Sequence, residues 1–68
     1  MIVQVNGKPA ELPDEATVAD AVKAVGVDGE RRGVAVAVDG EVVRAADWER
    51  TRLDERQAVE VVRAVQGG

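Results

Sequence analysis

The chain closes on Gln66-Gly67-Gly68, directly after an apolar stretch, and this end is where its chemistry is expected. A carboxylate is a poor electrophile. To carry an acyl group, the Gly68 carboxylate must first be activated, ordinarily as an acyl-adenylate made from ATP. An activating enzyme has to thread such an end through a narrow channel, and residues without a Cβ give the thinnest and most adaptable thread. Gly67 and Gln66 are therefore read as the thread and Gly68 as the reacting end. Val65 is expected to be the last anchored residue. The three residues beyond it reach about 10 Å when extended, enough to enter a pocket while the domain docks outside. A frayed terminus is the plain alternative. Chance places Gly-Gly at one particular end in about one chain in a hundred at this glycine content, and the apolar stretch before it weakens that alternative further.

Other chemistry is poorly supplied. The 68 residues include no cysteine and no histidine, which removes disulfides, thiolate nucleophiles, the usual nucleophile–base pairs and the commonest zinc ligands. The candidate hydroxyls are Thr17 and Thr51, and Thr17 is placed to cap a helix. Carboxylates are plentiful, but no pair stands out and no calcium-loop spacing occurs, so no metal site and no bound cofactor are expected. The net charge is −4 and Trp48 is the single aromatic residue. A nucleic-acid binder needs a basic stripe and stacking platforms, and neither is present. Arg50, Arg52 and Arg56 are interleaved with Glu49, Asp54 and Glu55, the pattern of a solvated loop. No apolar run approaches a membrane span and no signal-peptide pattern opens the chain. A soluble, cytoplasmic protein, monomeric when free, is expected.

The elements that must position the end follow from periodicity. Met1, Val3 and Val5 alternate with Gln4 and Asn6 as in a strand. Asn6-Gly7 is a hairpin signal, because both residues tolerate positive φ. A short second strand is expected around Ala10 to Leu12, with Pro9 at its beginning or on its unpaired side. Thr17 and Asp20 form a capping-box pattern before the stripe Val18, Ala21, Val22 and Val25, and Gly26 is placed to stop the helix. Val27 to Gly33 reads as a loop. Val34, Val36 and Val38 share one strand face, with Ala35 and Ala37 on the other. Asp39-Gly40 turns into Glu41-Val42-Val43. Ala46 to Glu49 reads as a helical turn, with Trp48 partly exposed because its indole N–H needs a partner if buried. Val59, Val61 and Val65 mark the last strand. Hydrophobic residues make up 46% of the chain, enough for a packed core, and residues 1–65 are taken as one domain with 66–68 as a flexible tail.

The order is β-β-α-β-β-β, an α+β fold with a mixed sheet of four or five strands and one helix on one face. It resembles the ubiquitin-like β-grasp, which implies that the last strand lies centrally, beside the first and parallel to it. With Val59, Val61 and Val65 toward the helix, Val62 and Ala64 fall on the open face, where Ile2, Ala35 and Ala37 are expected to join them. An apolar patch there would serve partner docking; scattered exposed aliphatics are the bland alternative.

Several segments resemble the sulfur-carrier family of thiamine biosynthesis, the ThiS family. Ile2 to Lys8 is similar to that family's opening strand and turn, and Val34 to Val43 to its central hairpin, where Asn is usual in place of Asp39. Trp48 is similar to the tryptophan commonly found after that hairpin, and Leu53, Val59 to Val62 and the final Gly67-Gly68 match the family's ending in spacing. Arg44-Ala45 stands where the family often has Pro-Arg. Arg56-Gln57 stands where it often has Gly-Asp, which puts the turn type before the last strand in question. The resemblance implies that an E1-like adenylyltransferase activates Gly68 with ATP-Mg. A sulfur donor such as a cysteine desulfurase then supplies the sulfur of a thiocarboxylate. A thiazole synthase receives that sulfur. The chain would be a carrier and no enzyme. Alternatives are the small subunit of molybdopterin synthase, carriers for cysteine synthesis or transfer-RNA thiolation, a protein modifier, and a passive β-grasp interaction module.

Overall fold

A computed structural model describes residues 1–26 and 33–63. Five strands and one helix occur in the expected order: β1 (Ile2–Val5), β2 (Lys8–Glu11), α1 (Val18–Ala24), β3 (Val34–Val38), β4 (Glu41–Val43) and β5 (Ala58–Arg63), with a 3₁₀ turn at Ala45–Asp47. The sheet order is β2-β1-β5-β3-β4. β5 is central and runs parallel to β1, with Gln4 opposite Ala58 and Val5 opposite Val59. It runs antiparallel to β3, from Val34 opposite Arg63 to Val38 opposite Val59.

The two hairpins form because their turn residues accept the left-handed region. Asn6 and Gly7 have φ of 53° and 81°, and Asp39 and Gly40 have 50° and 86°. These paired positive values are what a two-residue hairpin turn of the strand-compatible hand requires. β2 begins at Lys8, earlier than periodicity indicates, because the tight turn brings Lys8 directly opposite Val5. Pro9 lies inside this edge strand opposite Gln4, where a missing N–H is tolerated.

α1 is held at its start by the capping box. Oδ2 of Asp20 accepts the Thr17 backbone N–H at 2.8 Å. At the other end Val25 is the C-cap, and Gly26, with φ of 87°, donates its N–H to the Lys23 carbonyl at 2.9 Å. Val18, Ala21 and Val22 are buried, but Val25 is not. The apolar stripe ends one turn early because the helix stops at Ala24 and Val25 turns outward with the cap.

The core lies between α1 and one sheet face and is built largely of valine, with Val3, Val18, Val36 and Val59 all at or below 1% exposure. Trp48 corrects the expectation of partial exposure: it is 1% exposed. The physical reason is a satisfied donor. The indole N–H donates to the Val43 carbonyl at the end of β4, at 2.9 Å, so burial leaves no orphaned polar group. The turn preceding β5 forms without glycine. Arg56 takes φ of 68°, its N–H donates to the Ile2 carbonyl at 2.7 Å, and the Gln57 N–H donates to the Asp54 carbonyl at 3.2 Å. A positive φ at the third residue is the type II pattern, here carried by arginine where glycine is favoured. The expected loop over 27–33 lies, except for Gly33, outside the described residues.

Candidate functional site

β5 is the strand that leads toward Gly68. Its alternation sends Val59 and Val61 to the helix side and Ala58, Glu60 and Val62 to the open side. Being central, it is hydrogen-bonded along both edges. On the β1 side, the Gln4 N–H donates to the Gln57 carbonyl and the Asn6 N–H to the Val59 carbonyl, each at 2.9 Å. β1 then ends, because Asn6-Gly7 turns the chain away. The next rung is made by a side chain: Oδ1 of Asn6 accepts the Val61 N–H at 2.8 Å, and Nδ2 donates to the Val61 carbonyl at 3.2 Å. A related arrangement starts the strand on the β3 side. The Asp39 N–H donates to the Ala58 carbonyl at 2.8 Å, and Oδ1 of Asp39 accepts the Ala58 N–H at 2.9 Å. Oδ2 of Asp39 accepts from Nε2 of Gln57 at 3.1 Å.

The residues singled out from the sequence divide into two groups. Gly68, Gly67, Gln66 and Ala64, together with Val65, the expected last anchored residue, lie outside the described residues, which end at Arg63. Val62, Ile2, Ala35 and Ala37 are described, and all four lie on the open face. Val62 is 61% exposed and directly opposite Ala35. Ala37 lies opposite Glu60 on one side and Val42 on the other. Val42, the most exposed large hydrophobic residue at 77%, is a member that sequence reasoning missed. The signal was available, since a two-residue turn at Asp39-Gly40 sets Val42 opposite Ala37.

Ile2 shares this face but is not brought to the Val62 cluster. The parallel register places Gln4 beside Ala58, so Ile2 lies toward the start of β5 and Val62 toward its end. At about 3.3 Å per residue, the six-residue offset separates them by roughly 20 Å. The apolar cluster is therefore Val42, Ala37, Ala35 and Val62, across β4, β3 and β5, with Glu60 at its margin. Its small alanines leave a shallow surface between two valines.

The other candidates have structural occupations. The Thr17 hydroxyl sits 3.3 Å from Oδ2 of Asp20 within the helix cap. The Thr51 hydroxyl donates to the Asp47 carbonyl at 2.8 Å. Arg50 lies 3.5 Å from Asp47 and Arg52 lies 3.4 Å from Glu15, both on exposed side chains, where such pairs contribute little. Among the described residues no cluster of acidic side chains is arranged to hold a metal ion. No helix among them is long and apolar enough to cross a membrane.

Comparison with known proteins gives the architecture a family. The ThiS family model matches residues 3–68. The crystal structure of a thiamine biosynthesis protein (ThiS) from Geobacter metallireducens has a TM-score of 0.77 at 28% identity and covers the whole of both chains. A solution NMR structure of a thiamine biosynthesis protein from the same organism gives 0.77 at 28% identity, covering 100% of this chain and 88% of that one. The mixed five-stranded sheet with one helix is thus the β-grasp arrangement of ThiS structures. Threonine–tRNA ligases from two strains of Thermus thermophilus are 51% identical over 37 residues, covering 54% of this chain. The chain spans 6% of the length of these curated relatives.

Proposed function

This chain belongs to the ThiS family, and we propose on that premise that it is a sulfur carrier of thiamine biosynthesis whose reacting group is the Gly68 carboxylate. The observation that carries the reading is the placement of β5. The strand leading to Gly68 is the central one, bonded on both sides, so the domain offers a rigid base from which a thin Gly67-Gly68 thread is presented.

The chemistry proceeds in two displacements. In the active site of an E1-like adenylyltransferase, a Gly68 carboxylate oxygen attacks the α-phosphorus of ATP bound with Mg. Pyrophosphate leaves and an acyl-adenylate forms. A sulfur nucleophile, supplied by a donor such as a cysteine desulfurase, then attacks the acyl carbon. AMP leaves. With sulfide as the nucleophile the terminus is at once a thiocarboxylate. With a desulfurase persulfide an acyl disulfide forms, and a thiol, acting as the two-electron reductant, cleaves its S–S bond to leave the thiocarboxylate and a disulfide on the donor. A thiazole synthase accepts the sulfur. The carrier contributes no catalytic side chain; the cofactor-like atom is at its own terminus. Gln66 and Gly67 pass through the channel, while the open-face cluster with Val62 and the neighbouring Ala64 docks against the partner.

The test is intact mass after incubation with an E1-like activating enzyme, ATP-Mg and a sulfide source. The expected result is a gain equal to exchange of one oxygen for sulfur, abolished by deletion of Gly68. No gain, with an activating enzyme shown to work on another carrier, would replace this reading with a passive β-grasp interaction module.

A further inference from the structure

The edges of β5 are completed by two side chains, each from the first residue of a hairpin turn. Asn6 and Asp39 both sit in the left-handed region, with φ of 53° and 50°. There the backbone veers off from the strand it was pairing, and the side chain is left facing β5. Asp39 closes the beginning of the strand, at Ala58. Asn6 closes its far part, at Val61.

The Asn6 arrangement is chemically specific. A carboxamide carries one acceptor and one donor group in the same plane, as a peptide does. It therefore supplies both halves of a missing rung, to the Val61 N–H and the Val61 carbonyl. Aspartate at this position would keep only the acceptor. Asparagine also tolerates positive φ better than most residues. Glycine would satisfy the turn and leave Val61 without its partner. The turn and the clamp are thus two separable demands on one residue.

Resting on the carrier reading above, we propose that Asn6 is a positioning residue for the outgoing chain: its carboxamide holds the rung after Val59 on the β1 side of β5 and so fixes the direction in which the strand points the chain toward Gly68. Without it, that edge of the strand is held only to Val59, and β3 alone holds the strand beyond. The reacting end would then sample a wider cone before entering the activating enzyme's channel, and threading a reacting group through a narrow channel is sensitive to such spread. Asp39 is the internal control, since it makes the same kind of contact at the end of β5 remote from the thread.

The experiment compares Asn6→Gly, Asn6→Asp and Asp39→Gly with the unsubstituted chain. Loss of two ordinary hydrogen bonds is expected to speed exchange of the Val61 amide about tenfold in Asn6→Gly. The kcat of Gly68 activation should fall about tenfold with KM held within about twofold, because the docking face is untouched. Asn6→Asp should recover Val61 protection and part of kcat. Asp39→Gly should loosen Ala58 and leave both kinetic constants within about twofold. Unchanged Val61 exchange in Asn6→Gly would overturn the clamp. Equal losses of kcat in Asn6→Gly and Asp39→Gly would overturn positioning and leave a plain stability effect. If the unsubstituted chain gains no sulfur, the carrier reading fails, and the direction of the end is read instead from a spin label on Gln66→Cys. The chain has no other cysteine to label. A wider spread of label positions in Asn6→Gly supports the positioning role; an identical spread removes it.

Discussion

Val59 and Val62 lie three residues apart on the same strand, and one is 1% exposed while the other is 61% exposed. Nothing in the side chains differs. Val59 points toward α1 and the Trp48 core, and Val62 points to the open face across from Ala35. The covered face of the sheet is almost uniformly valine, whose β-branched side chains fill the space under a short helix, with Trp48 the single aromatic residue of the core. The open face mixes Val42 and Val62 with alanines and Glu60. A valine on this sheet is buried in the core or left on the open face according to one bit of register, and the strand's alternation sets that bit for every residue at once.

The same substitution at the two positions is the sharpest way to break this comparison. Val59→Glu places an unpaired carboxylate in the core, a cost of several kcal/mol. A chain of this length has about 3–10 kcal/mol of stability in all. The variant is therefore expected to be unfolded at 25 °C, read by loss of the cooperative thermal transition. Val62→Glu is expected to shift stability by less than about 0.5 kcal/mol. It should nonetheless weaken binding to the activating enzyme about tenfold, by placing a charge in the apolar cluster, as measured by titration calorimetry. A Val62→Glu chain with unaltered affinity would return the cluster to ordinary scattered exposure. The smallest effect is expected at Arg56, which belongs to neither face. Its positive φ is disfavoured for a side chain with a Cβ, whereas the Arg56 N–H bond to the Ile2 carbonyl is made by backbone and survives substitution. Arg56→Gly should stabilise by about 0.5 kcal/mol after the larger entropy of the unfolded glycine chain is counted. That corresponds to a rise of about 2–4 °C in Tm by calorimetry.

The turns, the helix and the succession of elements along the chain were legible because each rests on neighbours in the chain. Asn6-Gly7 and Asp39-Gly40 specify their hairpins by φ preference alone, and Thr17 with Asp20 caps α1 through contacts three residues apart. Trp48 was misjudged for the opposite reason. Its burial depends on a core gathered from distant segments, Val3, Val18, Val36 and Val59 among them, while the acceptor that satisfies its indole, the Val43 carbonyl, is only five residues away. Ile2 was placed on the correct face but in the wrong company, because alternation determines the face and only the β1–β5 register determines the position along it. Val42 was within reach of local reasoning, since the turn length already placed it opposite Ala37.

The amino-acid sequence by itself determined the alternation, the capping residues, the two turns, the lack of thiol and imidazole side chains in these 68 residues, and the Gly67-Gly68 pair. All of these are properties of residue type and short spacing, and they hold whatever the chain packs against. The tertiary structure decided what depends on pairing between distant segments. It set β5 between β1 and β3, enclosed Trp48 in the core, and assembled Val42, Ala37, Ala35 and Val62 into one patch. It also turned the Asn6 side chain from a turn residue into a rung of the central strand. The physical reason is the same in each case. Long-range register is fixed by the joint burial of one face, and that requirement belongs to the whole fold, with no single segment carrying it.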